Sequence, residues 1–425
     1  MRRLLLVASL LSTAIAIESK ILHEWKYVDF VAKLSSQETQ NATDSDDYNK
    51  TSIILYDVDI ADDGRMFVTS IRNEGVPASV MTVTDQMGEG GPLLSPYPDW
   101  SWYKNNENTT DCNGKIIISV FRVFIKCNHI FVLDCGKIGE EKVCPARLLI
   151  FDLYTNLLVK LVIIPDNVAT NENGIGLLVT PVVYARDCID ITNNAIVYMA
   201  DTEGHGLVTW NARESTIHRT ESNYMKPNAL DSTFTIANNS FFLDDGILGL
   251  TLMKNDLYYA DLAGTNMYKI NSTLLQDSLS SNETDASTVH AGILQGQTGP
   301  IASKECAIFF SNIPQTSILC ADSSKPINFN NTEVVLDSEE DLQFPSGLKV
   351  ITRRFFDGSN QLIALTNRYQ VNNNGISNLN ETNFRIISIN LDDVKKETNC
   401  FASCDTIIFY ESDFYDISWN IDFKW

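Results

Sequence analysis

The sequence predicts an all-β fold: a six-bladed β-propeller closed by pairing of its N- and C-terminal strands. Three observations carry that prediction. The first is one strand–turn–strand phrase that occurs six times. It is clearest at Asp256-Leu257-Tyr258-Tyr259-Ala260-Asp261 followed by Met267 to Asn271. It recurs at Ala195 to Asp201 with Gly206 to Asn211, at Ile130 to Asp134 with Leu148 to Asp152, and at Ile308 to Asn312 with Ser317 to Asp322. Looser copies run from Met66 to Ser70 with Val80 to Asp85, and from Leu362 to Asn367 with Phe384 to Asn390. The second observation is the period. The leading strands begin at residues 66, 130, 196, 257, 308 and 362, between 51 and 66 residues apart, the length of a propeller blade. The third is an aromatic, alternating segment from His23 to Phe30 that precedes the first copy and is free to complete the last blade. No single unit covers its own apolar faces, so neighbours stack, and closing the ring removes most exposed edges. Two β-sandwiches would require the likeness of the six copies to be accidental.

Residues 1–16 read as a signal peptide: Arg2 and Arg3, an apolar run from Leu4 to Ile15, and the small-residue site Ala14-Ile15-Ala16. That run is too short for a membrane span and no later one is longer. Residues 17–425 then form a single propeller, secreted and extracellular. The formal charge of −22 comes from dispersed acids, a solvated surface that disfavours nucleic acid and favours cationic ligands. Nine cysteines, an odd number, imply disulfides with one thiol left over. Eight glycosylation sequons stand at Asn41, Asn49, Asn108, Asn238, Asn271, Asn282, Asn330 and Asn380.

Along the chain, Ile53 to Ile60 and Met66 to Ile71 form a hairpin about Asp62-Asp63-Gly64. Asn193-Asn194 and Asn255-Asp256 occupy the matching turn in the third and fourth repeats. Gly88 to Tyr103, rich in proline and aromatics, reads as an ordered loop across one face of the ring. Asp244 to Leu252 reads as an innermost strand, with Gly246 and Gly249 where backbones crowd the axis. Residues 272–300 read as a polar surface excursion, and Phe409 to Trp425 as an aromatic tail.

Chemistry-bearing patterns are missing: no Gly-x-Ser-x-Gly, His-Glu-x-x-His, Walker loop or Cys-x-x-Cys. Gly88 to Gly91 lacks the spacing for phosphate binding. Asp57, Asp59, Asp62 and Asp63 briefly mimic a calcium loop, yet the twelfth position is Val68. His23, His129, His205, His218 and His290 fall in separate repeats without ligand spacing. Asp134, Asp201 and Asp261 recur in phase with the fold and read as turn caps rather than a functional carboxylate ring. The chain is therefore expected to have no catalytic residues, no metal and no cofactor.

A resemblance joins this reading. His23-Glu24-Trp25-Lys26-Tyr27, Phe67-Val68-Thr69, Gly75-Val76-Pro77, Gly90 to Leu94 and Pro96-Tyr97-Pro98-Asp99-Trp100 are its N-terminal marks. Leu133-Asp134, Cys144-Pro145, Phe151-Asp152-Leu153, Tyr198 to Gly204, Asp245-Gly246-Ile247, Leu257-Tyr258-Tyr259 and Asn383-Phe384-Arg385 continue it in order. In these the chain resembles the major royal jelly protein and Yellow family of insects, on the royal jelly side. It departs at His129-Ile130-Phe131 and Leu319-Cys320-Ala321, where the family carries Arg-Leu-Trp and Gly-Cys-Trp. The resemblance implies a six-bladed propeller and a secreted nutritive or developmental glycoprotein that is not an enzyme. Some Yellow members imply an alternative, a dopachrome-converting tautomerase of melanin chemistry. A lactonase-like metal enzyme is disfavoured, since no acid and Asn constellation is evident. Salivary relatives that bind biogenic amines in the channel imply a small amine ligand, with Ser346, Asn367 and Tyr369 at the matching positions; a lipid or sterol-like ligand in the channel is the other expectation. Asn367 could equally just end a strand, as Asn312 does in the fifth repeat. Strand positions and the resemblance together suggest bridges Cys127–Cys188 and Cys320–Cys400, with Cys112–Cys144 as a third. Homo- or hetero-oligomers remain open.

Overall fold

A computed structural model describes residues 17–31, 48–103, 112–352 and 359–404. The expected signal peptide, Asn41, Asn108 and the aromatic tail lie outside these residues.

Six four-stranded antiparallel sheets form the ring. From the inner strand outward, blade one is Val58–Ile60, Met66–Thr69, Val80–Met87 and Pro92–Pro96. Blade two is Val120–Lys126, His129–Asp134, Arg147–Asp152 and Leu157–Ile163, and blade three Leu178–Tyr184, Ile196–Asp201, Gly206–Asn211 and Thr216–Glu221. Blade four is Ile247–Met253, Asp256–Asp261, Asn266–Asn271 and Val289–Ile293, and blade five Ile301–Lys304, Ala307–Asn312, Ser317–Asp322 and Thr332–Asp337. Blade six takes Phe344–Thr352, Asn360–Asn367 and Phe384–Asn390 from the C-terminal part and Ser19–Trp25 from the N-terminus. The repeated phrase is thus the second and third strand of every blade.

The second strand of each blade is almost wholly buried and mostly apolar because both its faces are covered. Successive side chains point to opposite faces, so Tyr259 packs toward blade three while its neighbour Tyr258 packs toward blade five. Phe309 faces blade six and Phe310 faces blade four by the same alternation. The core is accordingly a series of apolar wedges between blades.

Ring closure rests on Ser19–Trp25, whose register on the last blade runs from Ser19 opposite Ile389 to Trp25 opposite Phe384. Trp25 is 1% exposed and its indole N–H donates to the Pro92 carbonyl of blade one at 2.7 Å. Gly91 permits that contact: a Cβ there would lie 2.5 Å from the Glu24 carbonyl oxygen, and its φ is +140°. One tryptophan therefore links the closing strand to the first blade.

Several local expectations need correction. Gly88 to Tyr103 is not a loop throughout: Pro92–Pro96 is the outer strand of blade one, and Trp100–Tyr103 forms a 3-10 turn. Prolines are tolerated in an edge strand because no further ladder needs their missing N–H. Residues 272–300 contain a capped helix, Ser281–Ser287, and the outer strand Val289–Ile293. Of Ile53 to Ile60 only Val58–Ile60 pairs as a strand, and Asn193-Asn194 end a short helix, Ile191–Asn194, instead of a β-turn.

The structure joins Cys112 to Cys144, Cys127 to Cys188 and Cys320 to Cys400. It adds Cys306–Cys404, which the sequence reading did not include, and leaves Cys135 as a buried thiol. The carboxylates in phase with the repeat act as caps. Asp134 accepts from the backbone N–H groups of Ile118, Ser119 and Gly136 and pairs with Arg147 at 2.5 Å. Asp201 accepts from Leu177 and Gly204 and pairs with Arg219 at 2.7 Å. Asp261 differs: it is 5% exposed and its Oδ1 has no hydrogen-bond partner.

Two tests follow from this architecture. Non-reducing peptide mapping should join Cys306 to Cys404 and leave Cys135 as the only thiol; a Cys135 bridge would overturn the assignment. Because Cys320–Cys400 already spans most of the same loop, the added closure is short and worth about 3 kcal/mol by loop entropy. Separately, burial holds the Asp261 carboxyl well above its usual range. Folded and unfolded states are both protonated at low pH, and the folded state is penalised as pH rises past the unfolded value. Asp261→Asn should raise the melting temperature more at pH 8 than at pH 4; an equal change at both pH values contradicts the burial argument.

Candidate functional site

The inner strands start at one end of the channel, and their first residues wall a cavity of about 350 Å³. Tyr56 precedes the inner strand of blade one, Phe121 belongs to blade two, Val179 to blade three, Leu248 to blade four, and Phe344 to blade six. The wall that five blades supply is therefore largely aromatic or aliphatic. Tyr56 and Phe121 meet edge to face at 5.6 Å, and Phe344 and Tyr369 lie 5.2 Å apart. An inserted hairpin, Thr233–Ile236 with Asn239–Phe242, brings Phe241 to 5.3 Å from Tyr369. This mouth is an aromatic collar assembled from distant parts of the chain.

Polar groups interrupt the collar. Asp245, just before the inner strand of blade four, is half-buried on the cavity wall. Burial, with Glu203 and Asp244 adding, pushes its carboxyl up to about 7. Lys137 and Glu203 pair at 3.2 Å across blades two and three. The Thr202 hydroxyl also lines the cavity and is buried without a hydrogen-bond partner. At the floor, Arg122 donates to the Ser346 carbonyl.

The three residues expected from the resemblance are adjacent, but they do not play one role. Ser346 and Tyr369 line the cavity. Asn367 lies behind it, 1% exposed, donating to the Leu55 carbonyl at 2.9 Å and to Ser346 Oγ at 3.1 Å. Its Oδ1 accepts from the Tyr369 N–H. With donor and acceptor both committed, Asn367 positions Ser346 and Tyr369 and ties blade six to blade one. Asp245, Tyr56 and Phe121 escaped the sequence reading. The available signal was their shared place at the start of an inner strand.

The arrangement is suited to holding a molecule. Cys135 lines the same cavity, but burial pushes its thiol up to about 12, so little thiolate exists to attack anything. Ser346 has an amide for its partner where an activated serine needs a base. Among the described residues no group of three or more His, Cys, Asp or Glu could hold a metal ion. The six described sequon asparagines, Asn49, Asn238, Asn271, Asn282, Asn330 and Asn380, are all exposed. Replacing Asn367 by Ala strands the Leu55 carbonyl and the Tyr369 N–H, and should cost about 1–3 kcal/mol. Urea unfolding would measure it; an unchanged midpoint would show that the amide is dispensable.

Comparison with known proteins places the chain. The profile of the family described as Major royal jelly protein matches residues 118–400. Major royal jelly protein 9 of Apis mellifera is 34% identical over 391 residues, covering 90% of each chain. Major royal jelly protein 8 of the same species is 34% identical over 403 residues, covering 90% of this chain and 93% of the relative. Identity at this level across nearly the whole propeller shows the family: the chain belongs to the major royal jelly proteins.

Proposed function

We propose that this chain is a secreted, non-enzymatic glycoprotein of nutritive or developmental use whose channel mouth binds a small aromatic amine. The observation that carries the binding is the aromatic collar with the half-buried carboxylate of Asp245 in its wall. Tyr56, Phe121, Phe344 and Tyr369 offer ring faces, and a cation over such a face gains roughly 0.5–2 kcal/mol. Asp245 supplies the counter-charge, and the Ser346 and Thr202 hydroxyls supply hydrogen-bonding groups. A cavity of about 350 Å³ is within the range of small-molecule sites.

Secretion is supported by four disulfides, a pattern of oxidising compartments. The signal-like N-terminus agrees with it, as do the exposed sequons. No helix of the described residues is long and apolar enough to cross a membrane. The non-enzymatic reading is supported by the high thiol pKa of Cys135 and the lack of a base beside Ser346.

The carboxyl of Asp245 gives the reading a pH signature. A bound ammonium needs the carboxylate ionised, and with a pKa of about 7 that form is scarce at pH 5.5 and dominant at pH 8. Calorimetric titration of serotonin should show affinity rising roughly tenfold or more between those values, and Asp245→Asn should flatten the profile. No heat at submillimolar amine, or the same pH profile in the variant, would overturn the amine site. Dopachrome should fade no faster with the protein than with a heat-treated control; faster loss would overturn the non-enzymatic reading.

A further inference from the structure

The channel has a second compartment, richer in cations than the first. At the other end of the inner strands a funnel of about 700 Å³ opens, and Arg122 lines both cavities at the waist between them. Aliphatic residues such as Val182, Leu250, Ile301 and Leu348 line the funnel, and Lys126 and Lys304 also line it. Deeper in, Lys349 donates to the Val123 carbonyl at 2.8 Å and pairs with Asp57 at 3.2 Å. Arg122 is 3.9 Å from the other oxygen of the same carboxylate. Asp57 is fully buried and shared between two cations, while its Oδ2 also accepts from the Val123 N–H.

The remaining acid near this pair is Asp59, whose oxygens accept from the N–H groups of Ile125 and Ile60. Burial raises its carboxyl to about 7, with Asp57 raising and Lys349 lowering it. The charged groups acting on Asp59 are Lys349 on blade six and Asp57, just before its strand. Asp62 and Lys126 stand among the funnel-lining residues. Below neutrality the waist thus carries two cations against one carboxylate. Burial lowers the Arg122 pKa, but a guanidinium stays charged in proteins. Three buried polar atoms there lack hydrogen-bond partners: Asp57 Oδ1, and Arg122 Nε and Thr180 Oγ1, the last two each on a residue 5% exposed that lines the funnel. Unsatisfied buried donors are rare and costly, and a buried excess of positive charge is costlier still unless an anion completes it.

We propose that this funnel is a second ligand site, for a small organic monocarboxylate with an aliphatic body, whose head faces Arg122, Lys349 and Thr180 and whose tail lies along the strand-lined wall. The site is separate from the amine cavity and does not depend on it.

Octanoate is the probe, with octylammonium and octanol as controls of equal chain length. Calorimetry on the full chain should show saturable octanoate binding, tighter at pH 5.5 than at pH 8, and neither control should match it. Lys349→Gln should weaken octanoate roughly tenfold or more. Lys349 is largely buried, so the double variant Lys126→Glu/Lys304→Glu, near the funnel opening, gives an independent reading and should also weaken it. Tyr369→Ala, in the other cavity, should leave octanoate unchanged. The proposal fails if millimolar octanoate gives no binding, if octylammonium binds equally, or if the folded charge variants bind like wild type. Loss in Tyr369→Ala with retention in the charge variants would place the anion at the wrong end and also overturn it.

Discussion

The closing strand governs the rest of the structure. Blades one to five are each continuous in sequence, but blade six is complete only when Ser19–Trp25 pairs with Phe384–Asn390. Without that pairing the last blade would present an open edge and blade one would lose its indole contact to Pro92. The covalent staples are placed to suit. Two of the four disulfides, Cys306–Cys404 and Cys320–Cys400, fasten the segment after the helix Leu391–Glu397 to blade five. They hold the C-terminal side of the blade that the N-terminus must find. Fixing that half in advance lowers the chain entropy that closure has to overcome.

A second constraint recurs around the ring, at the end of a blade's second strand. In blades two, three and six a side chain there satisfies backbone N–H groups or carbonyls near the start of an inner strand. Blades two and three use an aspartate and supply an arginine to neutralise it, Arg147 for Asp134 and Arg219 for Asp201. Blade six uses asparagine, Asn367, and needs no counter-charge; Asn312 holds the place in blade five, with its Nδ2 donating to Gln315 Oε1 and its Oδ1 buried without a partner. Blade four keeps the acid, Asp261, without the arginine, and its carboxyl is driven toward the neutral form. The same residue position thus runs from ion pair to amide to uncharged acid. Asn367 belongs to this series, which explains why it is committed to the frame while its neighbours Ser346 and Tyr369 reach the cavity.

What the sequence disclosed follows from the same physics. The middle strands were legible because both faces are buried, which forces compact apolar runs such as Leu257 to Ala260 at a regular period. The outer strands were not. Val289–Ile293 has one well-covered residue, Gly292, and Pro92–Pro96 carries two prolines, so neither looks like a strand until its partner is known. Cys306–Cys404 was hidden because 98 residues separate its ends and spacing carries no pairing information at that range. Ser346 and Tyr369 came through family resemblance, and the residues themselves offered no other pointer. Asp245 was visible only as part of an inner strand and of the family resemblance. Its role needs Glu203, Asp244 and the aromatic collar brought around it, and those come from different blades.

The channel then shows why bulk charge is a poor guide to a site. A chain of formal charge −22 surrounds an axis whose two ends differ in charge balance. Glu140, Glu203 and Asp245 stand with Arg72 and Lys137 at one mouth, while Lys126, Lys304 and Lys349 outnumber Asp59 and Asp62 in the opposite funnel. Arg122 and Asp57 lie between, close enough to interact and far enough from water for that interaction to be weakly screened. Each end is also aimed by backbone that cannot move freely, because every inner strand is held by its own blade on one side and a neighbouring wedge on the other. Charge placed on such a frame keeps its position when the surrounding surface exchanges ions with solvent. The selectivity of either compartment therefore rests on a handful of fixed side chains near the axis, and the dispersed surface acids set only the background field.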